Sequence, residues 1–205
     1  MSDPQNDLIA SRLAKLKELR ARGIDPYPSH FARTHTAADA LARFDELTDQ
    51  TIRLAGRMVS RRILGKLTFC HILDGSGKIQ LAFRQDVLGP ECYGLFRDLF
   101  DLGDFVGAVG KLFRTKTGEI TLEVHDFQML SKALRPLPEK WHGLTDVETR
   151  YRQRYLDLIA NEDVRRVFQI RSRVVTAIRS FLDRRGFVEV ETPVLQTIYG
   201  GAHAR

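Results

Sequence analysis

Residues 52–61 alternate between apolar and cationic. Ile52, Leu54, Gly56 and Met58 share one parity, and Arg53, Arg57 and Arg61 share the other. A period of two belongs to a strand with one buried and one wet face, so this strand would show water a row of guanidinium groups. A later run, KIQLAFR, sets Ile79, Leu81 and Phe83 against Gln80 and Arg84 in the same way. Arginine only donates hydrogen bonds, whereas a glutamine amide both donates and accepts. Such groups bind polar and anionic ligands rather than transform them. The chain's 32 Lys and Arg against 26 Asp and Glu, net +6, point the same way. A polyanion releases counterions when basic groups neutralise its phosphates.

Groups that would carry catalysis are not arranged for it. His30, His35, His71, His125, His142 and His203 lack metal-ligand spacing, and no metal site is expected. Cys70 and Cys92 form no CxxC pair, and no GxxxxGK[ST] phosphate loop is present. Glu189 and Glu191 would share one face of a strand, but paired carboxylates are common and no acid/base role follows. No apolar run reaches the ~18 residues of a membrane span, and the polar MSDPQND start has no signal-peptide core. A cytoplasmic protein away from membranes is the expectation.

The elements that position these residues follow from period and punctuation. Residues 4–22 predict a helix with Ile9, Leu13, Leu16 and Leu19 on one side and Arg12, Lys15, Lys17, Arg20 and Arg22 around it. That helix either packs by its stripe with its charges in water or touches an RNA backbone. Strands follow at about 51–61, 66–73 and 78–84, the last two joined by Asp74-Gly75-Ser76-Gly77. PECYGLFRDLF then has helical spacing. Two more strands, DFVGAVGKLFRT and EITLEVHDFQML, flank the hairpin signal Lys116-Thr117-Gly118-Glu119. Three strands, a helix and two strands is the order of an OB-fold, a small barrel that binds oligonucleotides.

Arg135-Pro136-Leu137-Pro138 makes a stiff connector. Thr145-Asp146-Val147-Glu148 has the capping-box pattern and opens a helix through RYRQRYLDLI. Asn161 starts another, with Val164, Val167, Phe168, Val174, Val175, Ile178, Phe181 and Leu182 as its apolar stripe. Gly186 ends it, and residues 187–193 read as a strand stopped by Pro193. The fold class expected is α+β. An N-terminal helical extension (1–50) precedes a five-stranded OB-fold barrel (51–134), a linker (135–145) and an incomplete second domain (146–205).

Gly186-Phe187-x-x-Val190-x-x-Pro193-Val194-Leu195 resembles motif 1 of the class II aminoacyl-tRNA synthetases. Gly56-Arg57-Met58-x-x-Arg61-Arg62-Ile63-x-Gly65-Lys66, Lys132 to Pro138, Arg150 to Leu158, and Gly200-Gly201-Ala202-x-Ala204-Arg205 narrow the resemblance to the lysyl-tRNA synthetases of bacterial type. The resemblance implies an anticodon-binding barrel followed by a catalytic domain represented only as far as motif 1. It implies that Phe69 stacks a base of tRNA(Lys), that Arg61 and Gln80 are its polar partners, and that Glu119 lies near the next base. It implies that Gly200 lines the lysine pocket, and that Gly186, Phe187 and Pro193 belong to the interface of a homodimer.

From the residues alone Phe69 is open, since its strand is apolar on both sides and its ring could be core. Arg61 could hold phosphate as well as a base, and Gly200 could be a loop glycine. The family attaches lysine to its tRNA with ATP and Mg2+. No catalytic residue is assigned within these 205 residues, which by themselves are expected to bind neither cofactor and to form no adenylate. The alternative function is a non-catalytic OB-fold module that binds RNA or docks on a partner.

Overall fold

The computed structural model describes residues 4–137 and 144–194. The chain divides into two compact units, residues 1–137 and 138–205.

In the first unit, helix α1 (Pro4–Ala21) leads to two short helices, α2 (Ala37–Ala42) and α3 (Phe44–Leu47). Thr36 caps α2: its side chain accepts from the Asp39 backbone, and Asp39 reaches back to the Thr36 backbone. Five strands follow, β1 (Ile52–Leu64), β2 (Leu67–Leu73), β3 (Lys78–Arg84), β4 (Phe105–Arg114) and β5 (Ile120–Ser131). Helices α4 (Gln85–Leu88) and α5 (Pro90–Leu99) lie between β3 and β4. The strands close into a barrel in the order β1-β2-β3-β5-β4, with β3 parallel to β5 and the other pairs antiparallel. That is the expected OB-type arrangement in an α+β protein.

The alternation read from the sequence is the barrel's inside and outside. Leu54, Met58, Ile72, Leu81, Phe83, Leu112 and Leu122 fill the interior. Phe96 of α5 stacks on Phe83 with ring centroids 3.5 Å apart, and the edge of Phe127 meets both rings. Aromatic packing of this kind adds about 0.5–1.5 kcal/mol per pair beyond burial. Where β4 crosses β5 closest, a Cβ on Gly110 would stand 1.8 Å from the Glu123 carbonyl oxygen, so only glycine fits.

Two features of this unit depart from the sequence reading. Arg12 is buried, whereas Leu13 is 39% exposed. The Arg12 guanidinium donates to the carbonyls of Ala133 (3.0 Å), Arg135 (3.1 Å) and Leu102 (3.0 Å). Carbonyls from the segment after β5 and the segment before β4 make that position polar, so a five-donor fork fits where leucine would strand them. Nearby, Lys132 Nζ donates to Leu99 O (3.0 Å), Asp101 (2.6 Å) and Asp104 (2.8 Å). Burial acts to raise the Asp101 carboxyl, but bonds from Lys132 and Lys15 outweigh it and hold the group below the usual carboxylate range.

The second unit contains α6 (Val147–Arg152), α7 (Arg154–Ala160) and α8 (Glu162–Asp183). Asp146, rather than Thr145, caps α6, accepting from Thr149 N. The single helix expected here breaks at Gln153, whose backbone leaves the helical region. Asp157 ties α6 to α7 by accepting from Arg150, Arg154 and Asn161. Asn161 therefore spends its amide on Asp157 and Leu144 O and makes no side-chain cap on α8.

The apolar stripe of α8 is present but uncovered, with Val174, Ile178 and Phe181 all about half exposed. Gly186, at φ +81°, closes the helix as expected. The strand expected at 187–193 is not formed: these residues join no sheet among the described residues. A strand needs a neighbour to take its backbone groups, and no second strand of this unit is described.

Candidate nucleic-acid interface

Antiparallel partners directly opposite one another point to the same side of a sheet. In β2, Thr68, Cys70 and Ile72 face the core, while Leu67, Phe69, His71 and Leu73 are half-buried on the outside. Burial pushes the Cys70 thiol up, so it stays protonated within the barrel wall. Phe69 lies opposite Arg62 on β1 and Ala82 on β3. The register thus resolves its parity: the ring is on the outer face, not in the core. The Arg62 guanidinium sits 5.8 Å above that ring's centroid.

Phe69 lines a groove of about 680 Å³, together with Arg62, Gln80, Ala82, Phe113 and Glu119. Gln80 comes from β3, and Glu119 from the hairpin between β4 and β5. Gln80 Nε2 donates to Glu119 (2.8 Å), while Gln80 Oε1 accepts from Thr121 Oγ1 (2.8 Å). These two bonds orient the amide, which is only 7% exposed. One N–H and one lone pair of that amide remain for a ligand.

Of the four residues expected to meet in the site, three do: Phe69, Gln80 and Glu119. Arg61 does not. Met58 faces Ile72 while Ser60 faces His71, so Val59 is an extra residue in β1. Such a bulge reverses the strand's parity beyond it. Arg61 lands opposite Cys70 and donates to the Arg97 and Phe100 carbonyls at the end of α5. Its charge serves the negative end of a helix. The reading of Arg61 on the ligand side is therefore corrected, and Arg62 holds that place. The signal missed was the bulge at Val59.

The groove's cations are Arg62, Lys66, Arg84 and Lys116, and its carboxylates are Asp86 and Glu119. Arg84 is paired with Asp86 (2.6 Å) and Glu123 (3.3 Å). Among the described residues Arg62, Lys66 and Lys116 make no ion pair, and no group of three His, Cys, Asp or Glu is gathered as a metal site. An outward-facing ring in a groove, an oriented amide, a carboxylate and cations without ion pairs suit a single-stranded nucleic acid: stacking, edge contacts and phosphate neutralisation.

In the second unit, Gly186, Phe187 and Pro193 are exposed, and Glu189 is paired with Arg179 (3.0 Å). Gly200 lies outside the described residues. No described helix is long and apolar enough to cross a membrane.

Comparison with known proteins agrees with both units. Residues 52–130 match the model of the OB-fold nucleic acid binding domain, and residues 146–205 match that of the class II tRNA synthetases (D, K and N). A lysine–tRNA ligase of Carboxydothermus hydrogenoformans is 56% identical over 200 residues, covering 98% of this chain and 41% of that protein. One of Pelotomaculum thermopropionicum is 54% identical, covering 98% and 39%. One of Chloroflexus aurantiacus is 56% identical, covering 98% and 41%. The chain thus spans about two-fifths of the length of the curated relatives it matches. Over nearly all of its length the chain is thus similar to lysine–tRNA ligases, with an OB-fold nucleic acid binding domain followed by a stretch like that of the class II tRNA synthetases.

Proposed function

We propose that this chain contributes anticodon recognition to the ATP-dependent attachment of lysine to its tRNA. The observation that carries the proposal is the Phe69 ring, half-buried on the barrel's outer face and lining the groove with the Gln80 amide and the Glu119 carboxylate. The ring stacks one base, an anchor worth about 1–3 kcal/mol that accepts any base. Selection comes from the edge: Gln80 offers one donor and one acceptor to a uracil, and Glu119 contacts the neighbouring base. Arg62 closes over the stacked base or its phosphate. Lys66 and Lys116 neutralise the backbone on either side.

The remaining parts of the reading belong to the whole ligase. Lysine, ATP and Mg2+ are the substrates and metal that the family implies for that whole ligase. Gly200 lines the lysine pocket in this reading. The uncovered stripe of α8, with Gly186, Phe187 and Pro193, is the face that a second copy covers in a homodimer. The protein works in the cytoplasm, where its tRNA is.

Fluorescence titration with anticodon stem-loops tests the proposal. A UUU loop is expected to bind the 205-residue chain at least tenfold more tightly than a CCC loop at matched salt. Equal affinities would show a non-selective basic surface and contradict the reading.

A further inference from the structure

Beside the groove, hydrogen bonds join side chains from β1, β2, the hairpin, β3 and β5 into one chain. Ser60 Oγ lies 2.8 Å from His71 Nδ1, and His71 Nε2 lies 2.8 Å from Glu119 Oε1. Glu119 Oε2 accepts from Gln80 Nε2, and Gln80 Oε1 accepts from Thr121 Oγ1, both at 2.8 Å. A carboxylate only accepts, so His71 Nε2 must carry a hydrogen. In the neutral ring Nδ1 is then bare, and the Ser60 hydroxyl donates to it. When the ring is protonated, Nδ1 donates and the hydroxyl turns to accept. The chain of bonds is complete in either state.

Glu119 sits on a hairpin with its side chain 46% exposed, against 22% for His71. The two bonds that hold its carboxylate are those to His71 and Gln80. We propose that His71 is a positioning residue for base selection, pinning the Glu119 carboxylate and through it the Gln80 amide. The inference rests on the groove being the anticodon site.

The chemistry of the two pyrimidines gives the pinning a purpose. Uracil presents an N3–H between two carbonyls, whereas cytosine has a bare N3 there. A carboxylate held toward that edge accepts from uracil and repels the cytosine lone pair. A carboxylate free to swing into water does neither, and stacking on Phe69 cannot replace the lost discrimination.

The test uses the full 205-residue chain with oligouridine and oligocytidine RNA of about seven nucleotides, a length within one OB-fold's site size. Affinity is read by anisotropy at matched salt. His71→Leu is expected to lose roughly fivefold to tenfold of the uridine preference, the worth of about one hydrogen bond. His71→Gln, whose Nε2–H can reach Glu119, is expected to keep that preference. Should His71→Leu fail to fold, His71→Asn, whose shorter amide does not span to Glu119, takes its place. An unchanged preference in the folded His71→Leu or His71→Asn protein, or a preference lost as fully in His71→Gln, overturns the inference. If Phe69→Ala binds as wild type does, the groove reading falls and this inference with it. If Phe69→Ala weakens binding while His71→Leu leaves the preference unchanged, this inference alone falls.

Discussion

The guanidinium of Arg12 lies 3.0 Å from the carbonyl oxygen of Ala133, 121 positions later in the chain. The same side chain reaches the Arg135 and Leu102 carbonyls, so one residue of α1 closes the open end of the barrel wall. The N-terminal helix is thereby part of the barrel's structure. Bonds from a charged donor to buried carbonyls are among the stronger ones in a protein.

Arg12→Ala would leave three carbonyls without their donor. The expected cost is about 2–4 kcal/mol of unfolding free energy, measured by urea denaturation of residues 1–137 followed through their tyrosines. Leu13→Ala, at an exposed position on the same helix, should cost well under 1 kcal/mol.

Asp101 sets an acid limit on stability. Although burial opposes it, pairing with Lys132 and Lys15 holds its folded pKa below the unfolded value. A group depressed in this way contributes stability that is fully present above the unfolded pKa, about 4. That contribution is lost as pH falls through the lowered folded value. Thermal melts should therefore show wild type more stable than Asp101→Asn at neutral pH. The gap should narrow as pH drops below about 4. A gap that stayed constant into acid would contradict the pairing.

Arg61 and Arg62 are neighbours with opposite duties. Arg62→Ala should weaken RNA binding about fivefold or more and shallow its salt dependence by about one ion, with little change in stability. Arg61→Ala should instead lower the melting temperature and leave affinity nearly unchanged, because its bonds go to the end of α5. Parallel binding and melting curves on the two variants separate these effects.

The pattern of this barrel was legible wherever a strand alternated cleanly. Ile79, Leu81 and Phe83 declared an inside, and Gln80 an outside, without any structure. Phe69 was not decidable in the same way, because Leu67, Phe69 and Leu73 make the outer face of β2 apolar too. Only its partners Arg62 and Ala82 fix its side. Arg61 was misassigned because a bulge is a property of two paired strands, and β1 alone does not display it. Arg12 escaped notice for a related reason: the carbonyls it serves are distant in sequence. Residues 187–193 have a strand's composition, but pairing comes from neighbours that composition cannot supply.

The account rests most heavily on Phe69 as the platform for a base. Its most direct test is the affinity of Phe69→Ala and Phe69→Tyr for a UUU anticodon stem-loop at low salt, with folding checked by circular dichroism. Removing the ring is predicted to cost about 1–3 kcal/mol, or roughly fivefold to 150-fold in affinity, while tyrosine keeps most of it. A folded Phe69→Ala protein that binds as tightly as wild type would contradict the account.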